Sequence, residues 1–303
     1  MGTILEQLPS GARVAVIRLR SLGDCVLTTP ALEVLRRARP DLRVAVVVEE
    51  RFNPVFEGNP DLDELLAPSL RELARWRPDL CLNLHGGTRS LALTILSGAR
   101  FRAGFAHHRY STLYNVRIPR AQEILGVSRK VHTAEHLASA MFYLGAEQGE
   151  IPRAKLFADP APAKAPYAVL HPIASAASKT WPAEGFLAVA ARLEEVWRLE
   201  PVFIGGAGED LTPFRAYRTV VGAPLGQLKS LLAGAALFVG NDSGPAHMAA
   251  AFRTPTLVIF GASDPDVWGP WRTTSEILTA RGDIRAIAVS EVLETLERLR
   301  VSA

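Results

Sequence analysis

The hydrophobic positions of this chain fall into short, nearly unbroken apolar runs separated by stretches of helical spacing. Residues 14–17, 44–48 and 80–84 are runs of the first kind, the pattern of a strand covered on both faces. Residues 25–38 place Val26, Leu27, Ala31, Leu32, Val34 and Leu35 at helical spacing and stop before Pro40. Residues 70–76, 90–98 and 132–144 predict further helices, and residues 103–105 a short strand. Asn59-Pro60 with Leu62, Leu65 and Leu66 predicts a turn and a short element. The pattern then breaks: residues 151–166 hold Pro152, Pro160, Pro162 and Pro166, the composition of a connector. After it the alternation restarts, with strands at 167–170, 201–204, 235–239 and 255–260. Helices are expected at 183–193, 225–233 and 246–252. A last amphipathic helix over 289–301 carries Val292, Leu293, Leu296 and Leu299 on one stripe. Two successive α/β halves, each Rossmann-like, are the architecture this pattern predicts.

Composition agrees. The chain has 303 residues, 48% of them hydrophobic and 7% aromatic, a size that suits two ordinary domains. No apolar run is long enough to span a bilayer, and the first residues lack the basic-then-apolar pattern of a secretory leader. Cys25 and Cys81 lie in apolar runs, form no CxxC and predict buried thiols in a reducing compartment, so cytoplasm is the expected location. The net charge of +3 is unevenly placed. Between residues 89 and 130 stand Arg89, Arg100, Arg102, Arg109, Arg117, Arg120, Arg129 and Lys130 against Glu123 alone. Such a stretch is either a solvated face or an attractor of phosphate-bearing or anionic-membrane partners.

The candidate chemistry lies in the turns that follow strands. Gly240-Asn241-Asp242-Ser243-Gly244-Pro245 sits between a strand and a small-residue helix. Asp242 or Ser243 can cap that helix, Gly244 lets a ligand approach the backbone, and Pro245 suits the first helical turn. The free N–H groups there suit a phosphate. His247, one turn in, is either part of that site or a surface histidine. Asp24, where the first strand meets its helix, is either a general base for a substrate hydroxyl or the helix N-cap. The loop of residues 171–182 carries Ser175, Ser178 and Lys179 among small residues. That composition suits phosphate oxygens, although the glycine spacing of a Walker A loop is missing. Gly205-Gly206-Ala207-Gly208-Glu209-Asp210 does not meet GxGxxG, yet its acids can reach ribose hydroxyls.

Three motifs in this order and at these separations carry a resemblance. Arg18-Leu19-Arg20-Ser21-Leu22-Gly23-Asp24, Ser178-Lys179-Thr180-Trp181-Pro182 and Asp242-Ser243-Gly244-Pro245-Ala246-His247 together resemble glycosyltransferase family nine, the ADP-heptose:lipopolysaccharide heptosyltransferases. The last motif is the most specific, and Thr29-Pro30-Ala31-Leu32 and Asn59-Pro60 also look like the family's first domain. The resemblance implies a GT-B fold, two Rossmann-like domains with an interdomain cleft. Residues 1–155 would bind the acceptor, and residues 156–303, with the C-terminal helix, the nucleotide sugar. It implies inverting transfer of a heptose from ADP-heptose to a lipopolysaccharide core acceptor bearing Kdo or heptose, with no metal and no cofactor beyond that co-substrate. Asp24 would be the base and Lys179 would assist departure of the diphosphate. Ser175, Lys179, Glu209, Asp242, Ser243, Gly244 and His247 would bind the donor, and Arg20, Arg89 and Arg102 the acceptor. Its partners would be a nucleotide sugar and a lipid-linked glycan at the inner-membrane surface, with the protein cytoplasmic or peripheral there and no nucleic acid involved. In the phosphate loop Ile173 and Ala174 stand where the family has glycine or adjacent hydroxyls. The competing readings are a same-fold transferase with another donor or glycan acceptor, a non-catalytic nucleotide-sugar-binding protein, and an NAD-dependent oxidoreductase.

Overall fold

The computed structural model describes residues 2–280 and 282–299. The chain divides into two compact units, Met1–Lys155 and Leu156–Ala303. The boundary falls inside the proline-rich connector, whose residues 151–163 form no helix or strand. Lys155 is tied to the first unit: its N–H donates to Thr29 Oγ1 at 3.1 Å and its Nζ lies 2.6 Å from Glu33. Ala161 is tied to the second through a 2.9 Å bond to the Ser230 carbonyl.

In the first unit the elements run β1 (Arg13–Ile17), α1 (Leu22–Ala38), β2 (Arg43–Val47), α2 (Asn53–Phe56), β3 (Glu64–Leu66), α3 (Leu70–Trp76), β4 (Leu80–Asn83), α4 (Thr88–Ile95), β5 (Phe101–Phe105), β6 (Val116–Ile118), α5 (Ala121–Leu125) and α6 (Thr133–Leu144). The six strands form one parallel sheet in the order β3-β2-β1-β4-β5-β6, with Val14 opposite Val44 on one side and Leu80 on the other. Apart from leading arginines, β1 and β2 are wholly buried, as the unbroken apolar runs require. Helix α1 begins at Leu22, three residues earlier than its apolar spacing predicts, and runs through Pro30. Proline cannot supply the N–H that would meet the Val26 carbonyl; the Thr29 hydroxyl donates to it instead at 2.8 Å.

The second unit repeats the plan: β7 (Tyr167–His171), α7 (Ala183–Glu195), β8 (Glu200–Gly205), β9 (Arg218–Val221), α8 (Leu225–Ala233), β10 (Leu237–Asn241), α9 (Gly244–Ala251), β11 (Thr256–Phe260), α10 (Pro265–Trp268), β12 (Ser275–Thr279) and α11 (Val289–Arg298). Its parallel sheet has the order β12-β11-β10-β7-β8-β9. Counted within each unit, both sheets follow the 3-2-1-4-5-6 order of dinucleotide-binding folds. The predicted end of the last helix, residues 300 and 301, lies outside the described residues. A core of Trp181, Phe186, Phe203, Leu237, Ile259, Val292 and Leu296 fills one face of the sheet. Trp181, 1% exposed, donates from Nε1 to the Ile287 carbonyl at 3.0 Å and meets Phe186 edge-on. Residue 185 must be glycine, since a Cβ there would stand 2.3 Å from the Trp181 ring.

Candidate active site

Ligands of open parallel sheets sit outside the carboxyl ends of the strands, where the strand order reverses. In the first unit that point lies between β1 and β4. Asp24 occupies the first turn of α1, where a negative charge faces the positive end of the helix dipole. The N-cap alternative is thereby corrected. The cap position belongs to Ser21, which makes no side-chain cap bond and donates from Oγ to Asp24 Oδ2 at 2.9 Å. Arg18 is 5% exposed, with Nη1 3.3 Å from Asp24 Oδ1 and Nη2 donating to the Leu84 carbonyl. Burial lowers its pKa and the Asp24 charge opposes that shift. A buried guanidinium is tolerable because it is paired.

The turn after β4 is fixed by Asn83. Its Oδ1 accepts from the N–H groups of His85 and Gly86 at 3.0 and 3.1 Å, and its Nδ2 donates to Tyr114 Oη at 2.9 Å. Burial, with Arg18 adding, lowers the pKa of His85, whose ring also bonds the backbone of Arg20. His108 and His136 are held at about 4, chiefly by burial, and His136 stacks on Phe105 with centroids 4.0 Å apart. The mouth of this unit therefore joins a paired carboxylate to imidazoles that stay neutral at physiological pH.

The three arginines assigned to the acceptor are not placed alike. Arg20 is exposed in the turn before α1. Arg89 lies in the first turn of α4, 3.7 Å from Glu49 and bonded to the Pro68 carbonyl at 3.2 Å. Arg102 sits at the amino end of β5, away from the mouth, and donates to the Ala99 carbonyl at 3.1 Å. Within the same basic stretch Arg129 pairs with Glu135 at 2.7 Å.

In the second unit the order reverses between β7 and β10, and the lysine loop and the Asp242 turn meet there. Lys179 Nζ lies 3.2 Å from Asp242 Oδ2, and Ser263 Oγ donates to the same oxygen. Ser243 holds the cap position of α9 without a side-chain cap bond; its Oγ lies 3.0 Å from His171 Nδ1. The expectation that Asp242 or Ser243 caps the helix with its side chain is corrected, because an ammonium and an imidazole have claimed those side chains. The helix also starts at Gly244, two residues before its predicted start. His247 is 6% exposed, which removes the surface alternative. Ser175 is exposed on the loop.

Residues outside the predicted set hold this loop. Asn241 Nδ2 donates to the Pro172 carbonyl at 2.8 Å and its Oδ1 accepts from Trp181 N–H at 3.0 Å, clamping both ends. Gly261 packs against the loop backbone, for a Cβ there would stand 2.1 Å from the Ser178 carbonyl. Asn241 ends β10, and Gly261 and Ser263 lie in the turn that follows β11; that position is the signal by which sequence could have found them. At the end of β8, the second strand of its unit, Glu209 Oε2 accepts from Gly206 N–H at 2.6 Å. That is where dinucleotide folds place the ribose carboxylate, whereas the phosphate-binding glycines belong after the first strand. Asp210 is committed to the N–H of Thr212 at 2.8 Å. Among the described residues no cluster of His, Cys, Asp and Glu could hold a metal ion, and no helix is long and apolar enough to cross a membrane.

Known proteins are similar to this chain in sequence and in fold. Lipopolysaccharide heptosyltransferase 3 of Escherichia coli K12 is 25% identical, with 84% of this chain and 83% of the relative covered. Lipopolysaccharide heptosyltransferase 1 of Pseudomonas aeruginosa is 26% identical, with 86% and 81% covered. Among solved structures, a family 9 glycosyltransferase from Veillonella parvula superposes with a TM-score of 0.84 at 22% identity, covering 96% of this chain and 97% of its own. E. coli heptosyltransferase WaaC with ADP superposes at 0.78 and 21% identity, covering 95% and 100%. The fold is thus the GT-B type of these heptosyltransferases, made of two Rossmann-like domains. Residues 69–284 match the sequence profile of Glycosyltransferase family 9 (heptosyltransferase), and the chain belongs to that family of glycosyltransferases.

Proposed function

We propose that this chain transfers a heptosyl group, with inversion, from ADP-heptose to a Kdo- or heptose-bearing lipopolysaccharide core acceptor. The observation that carries the reading is the Lys179–Asp242 pair beside the uncapped start of α9 at the strand-order reversal of the second unit. Relatives named lipopolysaccharide heptosyltransferases and a neighbour solved with ADP support the choice of substrates. Residues 156–303 bind the donor: Lys179, Ser175, Ser243 and the N–H of Gly244 face the diphosphate, Asp242 and His247 lie beside it, and Glu209 takes the ribose. Residues 1–155 bind the acceptor, with Arg20 and Arg89 as contacts; Arg102 is not carried forward because of where it lies.

The acceptor hydroxyl gives its proton to Asp24 as its oxygen attacks the anomeric carbon from the face opposite the diphosphate. The bond from that carbon to the β-phosphate oxygen breaks, and ADP leaves with the electron pair. Negative charge grows on the leaving oxygen only as the bond breaks, so Lys179 and the fixed N–H groups stabilise the transition state more than the bound donor. No metal or cofactor is assigned to these steps. The enzyme works at the cytoplasmic face of the inner membrane, where its lipid-linked acceptor is exposed. Thermal shift with ADP, UDP, GDP and NAD tests the donor: ADP should raise the melting temperature most, and stabilisation by NAD without ADP would overturn the reading.

A further inference from the structure

His171 ends β7 and is 8% exposed, a depth at which an imidazole needs a reason to be present. Burial holds its pKa down to about 4, so the ring is neutral in use. Its Nδ1 lies 3.0 Å from Ser243 Oγ. A serine at the cap position ordinarily turns its oxygen onto an N–H of the first helical turn; Ser243 makes no such bond.

In a neutral imidazole one nitrogen donates and the other accepts, and a serine hydroxyl has a single hydrogen. Were Nδ1 the acceptor, Ser243 would spend that hydrogen inward and turn only lone pairs toward the mouth. Were Nδ1 protonated, Ser243 would accept from it and keep its own hydrogen for a ligand. The Lys179 ammonium and the N–H groups of Gly244 and Ala246 are donors, and the one neighbouring carboxylate named here, Asp242, already accepts from Lys179 and Ser263; a phosphate there, whose oxygens accept, requires a donating hydroxyl. We propose that His171 is a positioning residue whose Nδ1–H donates to Ser243 Oγ, drawing the hydroxyl off the start of α9 and aiming its hydrogen at the donor's diphosphate. This rests on the assignment of that mouth to a nucleotide diphosphate.

The test joins nitrogen NMR of the His171 ring with calorimetric titration of ADP into the whole protein and its variants. In the ligand-free protein Nδ1 should be of the protonated, pyrrole type. His171→Asn, which returns an N–H near the position of Nδ1, should keep ADP affinity within about threefold, and His171→Leu should weaken it about tenfold. Because His171 acts through the hydroxyl, His171→Leu should cost nothing further in a Ser243→Ala background. A role confined to packing would give additive losses and no rescue by asparagine. An unprotonated Nδ1, or additive losses, in a protein that binds ADP overturns this proposal alone. A wild-type protein that ignores ADP overturns the donor assignment and this proposal with it. Should the leucine variant not fold, the ring signal and the asparagine variant decide.

Discussion

The two mouths share a strand order but hold their working groups by different means. In the first unit Asp24 stands in the opening turn of a seventeen-residue helix, and its partners Arg18 and Ser21 come from the turn just before it. In the second unit Lys179 lies in a loop with a single helical turn, Ala177–Lys179, and its position depends on residues distant in sequence, Asn241, Asp242 and Gly261, and on the buried Trp181 two residues on. A group placed by a helix tolerates loss of its neighbours, whereas a group placed by a clamped loop is only as fixed as its clamps.

Removing the buried anchor at the end of the loop should have the largest effect. Trp181→Ala removes a buried ring and its bond to Ile287, and should cost about 3–5 kcal/mol of stability in chemical denaturation. In whatever fraction still folds, ADP affinity should fall while the first unit is unaffected. Lys179→Ala should next lower kcat/KM by about 10²–10³-fold in a turnover assay, the scale expected when one stabilising group at a developing anion is lost. Lys179→Arg should recover part of it.

Acid sharpens the comparison differently. His108, His136 and His171 have folded pKa values near 4, below the ordinary value of 6.5. The unfolded chain therefore binds more protons between those values, so stability is full above about pH 6.5 and falls as pH drops toward 4. For His171, the most buried of the three, the loss should approach about 2–3 kcal/mol. Equilibrium unfolding from pH 7 to pH 4.5 should show this slope, and His171→Asn should flatten it. The smallest effect is expected at Ser263: removing one bond to Asp242 with Ser263→Ala should raise the apparent Kd for ADP about threefold to tenfold, read by calorimetry.

What sequence could reveal follows from burial. The strands β1, β2, β4, β7, β8, β10 and β11 are wholly or largely buried, and their apolar runs place them within a few residues. The edge strands β6, β9 and β12 escape, because a half-exposed strand such as Arg218–Val221 has no continuous apolar run to announce it. Helices α2, α5 and α10 are too short for helical periodicity to register. The motif residues were legible as motifs, but their roles as partners were not. That Ser243 would turn toward His171, or Asp242 toward Lys179, depends on which parallel strands become neighbours, since β7 and β10 lie far apart in sequence.

In the proposed mechanism Asp24 removes the acceptor's proton while a separate mouth grips the departing diphosphate. The most direct measurement is turnover of Asp24→Ala beside its ADP affinity. Turnover should fall by about 10²–10⁴-fold with ADP binding unchanged; turnover within tenfold of the wild type, or loss of ADP binding in parallel, would contradict the account.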